Sequence, residues 1–81
     1  MSEAAISFKW SEVVTPSDLT SFPGGPARSL YVGSAGGNIS VVMYGNGATV
    51  LFTAVPIGIL PVECTRVNST NTTSTNIIAV R

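Results

Sequence analysis

The chain has 81 residues with four Lys or Arg, four Asp or Glu and no His, so its formal net charge is zero and only 10% of it is charged, against about one-quarter in a typical soluble domain. That length makes one domain, near the lower limit of what a single core supports. With one cysteine and no histidine it has neither an internal disulfide nor a Cys/His zinc set, so self-association is the expected extra source of stability.

Glycine and proline punctuate short runs rich in Val, Ile, Thr and aromatic residues, which predicts an all-β fold: a small single-domain antiparallel β-sandwich or barrel of six to seven short strands. A first strand is expected over 5–10, or extending to Val14. Residues 16–26, with Pro16, Pro23, Gly24, Gly25 and Pro26, read as a loop in which Asp18 can cap a single turn. A strand over 28–32 ends at Gly33-Ser34-Ala35-Gly36-Gly37. Ile39, Val41 and Met43 then alternate with Ser40, Val42 and Tyr44, the period of a half-buried strand.

Gly45-Asn46-Gly47 predicts a three-residue hairpin loop, with a return strand over 48–54 that places Val50, Phe52 and Ala54 on one face. After a turn at Val55-Pro56-Ile57-Gly58, a strand is expected over 59–67, carrying Pro61 at its start, an edge or a bulge. The polar tract over 68–76 reads as a surface loop whose side chains satisfy their own backbone through local turns, and 77–80 closes the chain as a strand. The expected division is an N-terminal arm or first strand over 1–15, a Pro/Gly loop over 16–27 and a β core over 28–81.

The order of these pieces carries a resemblance. Pro26-Ala27-Arg28-Ser29-Leu30-Tyr31-Val32-Gly33 is followed by the hairpin pieces Val41-Val42 and Phe52-Thr53-Ala54-Val55-Pro56. Then come Pro56-Ile57-Gly58-Ile59-Leu60-Pro61-Val62, Arg66-Val67, the Thr/Ser-rich tract and Ile77-Ile78-Ala79-Val80. Over about residues 13–80 this resembles the small spike base proteins of tailed phages and gene transfer agents, β-rich head proteins that sit on a capsid and carry a fibre or spike. The strongest piece is the Pro-x-Gly-x-Leu-Pro-Val turn and strand with Arg66 after it. The resemblance implies a virion structural protein on the capsid exterior, made in the host cytoplasm, acting as a spike base or as a decoration or cement subunit. It brings no catalytic residues and no cofactor. The implied partners are the major capsid protein, further copies of the chain as a trimer or pentamer, and a head fibre or spike protein.

The residues themselves argue against chemistry. No Ser-His or Cys-His nucleophile exists without histidine, and Glu63 and Cys64, adjacent on a strand, face opposite sides. An enzyme is therefore not expected, and Cys64 reads as a small core hydrophobe. Glu3 and Glu12 are expected to be solvated. Lys9, Arg28, Arg66 and Arg81 are too few, and too well balanced by acids, for the counterion release that drives nucleic-acid binding. Phe52, Tyr31 and Tyr44 read as core rings rather than as a stacking platform for single strands. Membrane insertion is not expected, since uninterrupted apolar runs are four residues or fewer. The first residues lack the basic and apolar regions of a signal peptide, so the three Asn-x-Ser/Thr sequons indicate composition only.

Five residues are candidate interface groups. Ile6, Phe8 and Trp10 share one face of an extended segment, either an arm that adds to a neighbour or a first strand packed at home, with Trp10 buried in either case. Arg28 and Arg66 either pair with a carboxylate across an interface or cover apolar surface while solvated, with Asp18 or Glu63 as possible internal partners. A glycan or host-surface binding module, with the 68–76 tract as contact loop, is the competing reading. A single-strand nucleic-acid barrel ranks behind it.

Overall fold

A computed structural model describes residues 8–81; Ile6 lies outside the described part. Seven strands form two antiparallel sheets. They are β1 (Ser11–Val13), β2 (Ser29–Val32), β3 (Gly37–Met43), β4 (Thr49–Val55), β5 (Gly58–Leu60), β6 (Cys64–Val67) and β7 (Ile77–Val80). One sheet runs β1-β7-β2-β5 and the other β4-β3-β6. Their inner faces meet in a core of Leu30, Val32, Ile77 and Ala79 from the first sheet and Ile39, Val41, Cys64 and Val67 from the second. Of the two expected architectures, this is the sandwich.

The strand expected over 59–67 is two strands. β5 belongs to the first sheet and β6 to the second, and the chain changes layer over Pro61, Val62 and Glu63. Pro61 has no N–H to continue a ladder, and Val62 N–H folds back onto the Leu60 carbonyl at 2.9 Å. The break therefore falls at the residue least able to stay in a sheet.

The β3–β4 hairpin is as expected in its strands and one residue longer in its loop. Met43 N–H donates to Ala48 O (2.8 Å) and Gly47 N–H to Met43 O (3.0 Å), enclosing Tyr44 to Gly47. Val50 and Phe52 pack on the core, whereas Ala54 is exposed and Val55 is buried in its place. A bulge between Gly37 and Ile39 in the pairing shifts the parity. Ala54 there takes φ 52°, and its N–H is held by the Asn38 Oδ1 at 3.2 Å.

The polar tract also departs from expectation. Its side chains reach across the fold rather than to their own backbone. Where β6 stops pairing with β3, Thr72 Oγ1 accepts from Ser40 N–H (2.9 Å) and Thr73 Oγ1 from Asn38 N–H (2.8 Å). Thr73 N–H and Ser74 N–H both donate to Asn38 O, at 2.8 and 3.1 Å. Thr75 and Ser34 exchange further bonds near 3.0 Å. Threonine hydroxyls thus stand in for the missing length of β6. Gly37 makes this approach possible, because a methyl there would sit 2.7 Å from the Ser74 backbone.

The loop over 16–26 covers the outer edge of β6. Ser17 N–H donates to Val67 O and Phe22 N–H to Thr65 O, both at 2.9 Å, and Ala27 bridges Cys64. The single turn within it is capped by Ser17, whose Oγ accepts from Leu19 and Thr20 N–H at 3.2 Å. Asp18 is thereby left to point elsewhere.

Candidate interface surfaces

Three surfaces collect the polar and apolar groups that the core does not use. The first is a rim at the end of β7. Arg81 N–H donates to Trp10 O (2.9 Å), and Lys9 and Trp10 N–H both donate to Arg81 O, which continues the β1–β7 ladder beyond the strands. The Arg81 guanidinium then folds over the Trp10 ring, 4.0 Å from its centroid, and donates from Nε to Pro26 O at 2.8 Å and from Nη2 to Gly25 O. Its Nη1 lies 3.6 Å from Glu12 Oε1. Neither of those two atoms has a hydrogen-bond partner among the described residues, where this pair attracts by charge alone. Glu12 is accordingly half-buried against Arg81 rather than solvated.

Trp10 rests on Arg81 and on Gly24, yet remains 43% exposed. The burial expected of it is therefore incomplete within one copy. Phe8 is half-buried. Arg28, whose N–H donates to Val80 O (2.9 Å), stands on the same rim. It is exposed and makes no ion pair with a described residue.

The second surface is the outer face of the β1-β7-β2-β5 sheet. Val13 opposes Ile78, Ile78 opposes Tyr31, and Tyr31 opposes Ile59. Directly opposed residues share a face, so these four side chains form one apolar row across all four strands. Val13 is 77% exposed, Ile59 50% and Tyr31 39%. Tyr31 and Tyr44 are therefore surface rings; Phe52 alone of the three expected core aromatics packs inward. Tyr31 alternates with the fully buried Leu30 and Val32 on a strand covered on one side only, and Tyr44 sits in the hairpin turn.

The third surface is a cleft of about 260 Å³ on the outer face of the other sheet, lined by Asp18, Ser40, Thr49, Arg66, Asn68 and Thr70. Arg66 opposes Val42, which opposes Thr49 on the far strand. Arg66 Nε donates to Asn68 Oδ1 at 2.8 Å. Asn68 is itself buried and tied to Ser40 through Nδ2···Oγ (3.1 Å) and N–H···O (2.8 Å). The guanidinium is thus aimed by a buried amide, while its Nη groups bond no described residue. Across the cleft Asp18 accepts from Thr70 N–H (2.9 Å) and Thr70 Oγ1. These bonds, the hydroxyl first, hold its carboxyl below the ordinary value of 3.8. Neither Asp18 nor Glu63 forms an ion pair with Arg66 or Arg28.

Among the described residues, no three His, Cys, Asp or Glu side chains cluster to hold a metal ion. Cys64 is buried, and desolvation pushes its thiol up to about 11 against the opposing pull of Arg81, so it is not a nucleophile at neutral pH. Arg81 is the organising group of the rim, and the sequence did not signal it. It follows the last strand with no distinctive spacing, and its partners lie more than fifty residues away. The apolar row was hidden for a related reason: Ile77-Ile78-Ala79-Val80 is apolar throughout and does not report which face is open.

The fold is a small antiparallel β-sandwich of two sheets around one core. Comparison with protein families and with curated proteins finds no match. Among solved structures, a chain of "Capsid of native GTA particle computed with C5 symmetry" is similar at 32% identity with a TM-score of 0.77, covering 95% of this chain and 92% of that one. The chain belongs to the family of that capsid chain, a family of capsid-associated proteins of phage-like gene transfer agent particles.

Proposed function

We propose that this chain is a non-enzymatic structural subunit mounted on the exterior of a phage-like capsid, serving as a spike or fibre base or as a cement protein. The observation that carries the reading is the likeness to a gene transfer agent capsid chain over nearly the full length of both. The physical properties agree with it. A zero net charge and few charged residues favour permanent contacts, since obligate interfaces resemble a core cut in half. In this reading the major capsid protein and other copies of the chain, as a trimer or pentamer, are its partners, and a fibre or spike protein is its cargo. The segment ahead of β1 then acts as a contact arm, while β1 itself stays paired with β7 and Val14 stays packed in the core. Ile6, Phe8 and Trp10 supply apolar anchors, while Arg28 and Arg66 meet carboxylates on the neighbouring subunits.

The test is incorporation into particles. A tagged copy expressed in a particle-producing strain is expected to sediment with intact capsids, and its tag to be reached by antibody without opening them. Trp10→Ala, Arg28→Glu and Arg66→Glu are each expected to lower its occupancy on the particle. A wild-type chain found only in the soluble fraction would overturn the reading.

The glycan-binding alternative gains one support, a carboxylate beside the polar tract, because Asp18 bonds Thr70. The cleft they share has no aromatic platform in its lining. Glycan-array signal abolished by Asp18→Ala would favour that alternative.

A further inference from the structure

The two edges of the β4-β3-β6 sheet are treated differently. The β6 edge is covered by the 16–26 loop through backbone bonds, as described above. No described residue pairs with the β4 edge. Ser40 turns its N–H to Thr72 Oγ1 (2.9 Å) and its C=O to Asn68 N–H (2.8 Å), away from β4. Its partner Leu51 therefore sits at a position of the ladder that makes no bond to β3. The N–H and C=O of Leu51, and of Thr49 two residues earlier on the same strand, point outward and meet no described residue.

Sheet edges left in solution are normally blunted by shortness, by lysine or by proline. β4 is seven residues long, Thr49-Val50-Leu51-Phe52-Thr53-Ala54-Val55, with no charge and no proline. By contrast, β1 and β5, the edges of the other sheet, have three residues each.

The geometry points to β4 as the site where a second copy of this chain adds a strand, so that the sheet continues from one subunit into the next. A second copy is favoured over a charged partner because the edge offers no charge to complement, and because copies with zero net charge do not repel one another. Main-chain bonds from Thr49 and Leu51 supply the attraction, and the 45%-exposed Leu51 side chain packs beside the incoming strand. The inference concerns contact between copies of the chain, and it stands or falls separately from capsid binding.

The experiment is the solution mass of the purified full chain by light scattering, for wild type, Leu51→Pro and Leu51→Lys. Proline is tolerated on an edge strand where the N–H faces outward, and lysine leaves the backbone intact, so at least one variant retains the fold by circular dichroism. The expected result is a discrete wild-type oligomer that falls to the 8.4 kDa monomer in the folded variant. A wild-type chain that stays monomeric at all concentrations overturns the inference, as does an oligomer unchanged by either substitution. Incorporation of the wild-type chain into particles, scored in parallel, shows whether the capsid reading survives.

Discussion

The Arg81 guanidinium lies 4.0 Å above the Trp10 ring while its Nε donates to the Pro26 carbonyl at 2.8 Å. One side chain thereby joins the segment ahead of β1, the Pro-Gly-Gly-Pro loop and the end of β7. A cation over indole contributes roughly 0.5–1 kcal/mol at an exposed site, and each charge-assisted hydrogen bond adds about 1.5–3 kcal/mol where it is shielded. The clamp also neutralises Glu12, which is only 21% exposed in its side chain.

Arg81→Ala removes all of these contacts and leaves Glu12 half-buried without a counter-charge. A loss of about 2–4 kcal/mol of unfolding free energy is expected from denaturant titration. Trp10 is the chain's one tryptophan, so its emission reports the rim directly. It is expected to shift to the red in Arg81→Ala under native conditions, and an unchanged spectrum would contradict the clamp.

The threonine contacts that extend β3 give a graded test. Valine is nearly isosteric with threonine but leaves the backbone donor without its acceptor. Ser40 is 4% exposed and its N–H depends on Thr72 Oγ1, so Thr72→Val is expected to cost about 1–3 kcal/mol. The Asn38–Thr73 bond is exposed, and water replaces it, so Thr73→Val is expected to cost less than about 1 kcal/mol. Equal costs would mean that the tract does not shield β3.

Stability is expected to weaken at both ends of the pH scale for separate reasons. Burial raises the Cys64 thiol from 9.0 to about 11. Between those values the unfolded chain releases a proton that the native state keeps, so the contribution is present below pH 9 and is lost as pH rises toward 11. Cys64→Ala is expected to flatten that alkaline decline, and thiol reagents at pH 8 to label the wild type only after unfolding. Asp18 has the opposite sign. Its carboxyl is depressed by Thr70, so its contribution is present above 3.8 and is lost as pH falls through the lower native value. Chemical denaturation at pH 6 and pH 2 is expected to show a smaller acid loss in Asp18→Asn.

The amino-acid sequence by itself determined the all-β class, the β3–β4 hairpin, the alternation of Ile39 and Val41 with Ser40 and Val42, and the lack of any histidine. Those properties are local. Alternation and turn residues act within a few positions, and a chain without histidine has none wherever it folds. The resemblance read from residues 13–80 likewise needed only the order of short motifs. What tertiary structure decided was which open positions meet. Pro61 announced a disturbance, but only the layering of two sheets turned it into a crossing from β5 to β6. Thr72 and Thr73 looked like loop residues because their partners, Ser40 and Asn38, lie more than thirty positions away. Arg81 carried no local signature, since its cluster forms only when β7 lies beside β1 and the Pro-Gly loop folds over both. The row of Val13, Ile78, Tyr31 and Ile59 exists only through cross-strand register. Long-range pairing is set by the summed burial of the core, and no window of neighbouring residues contains that sum.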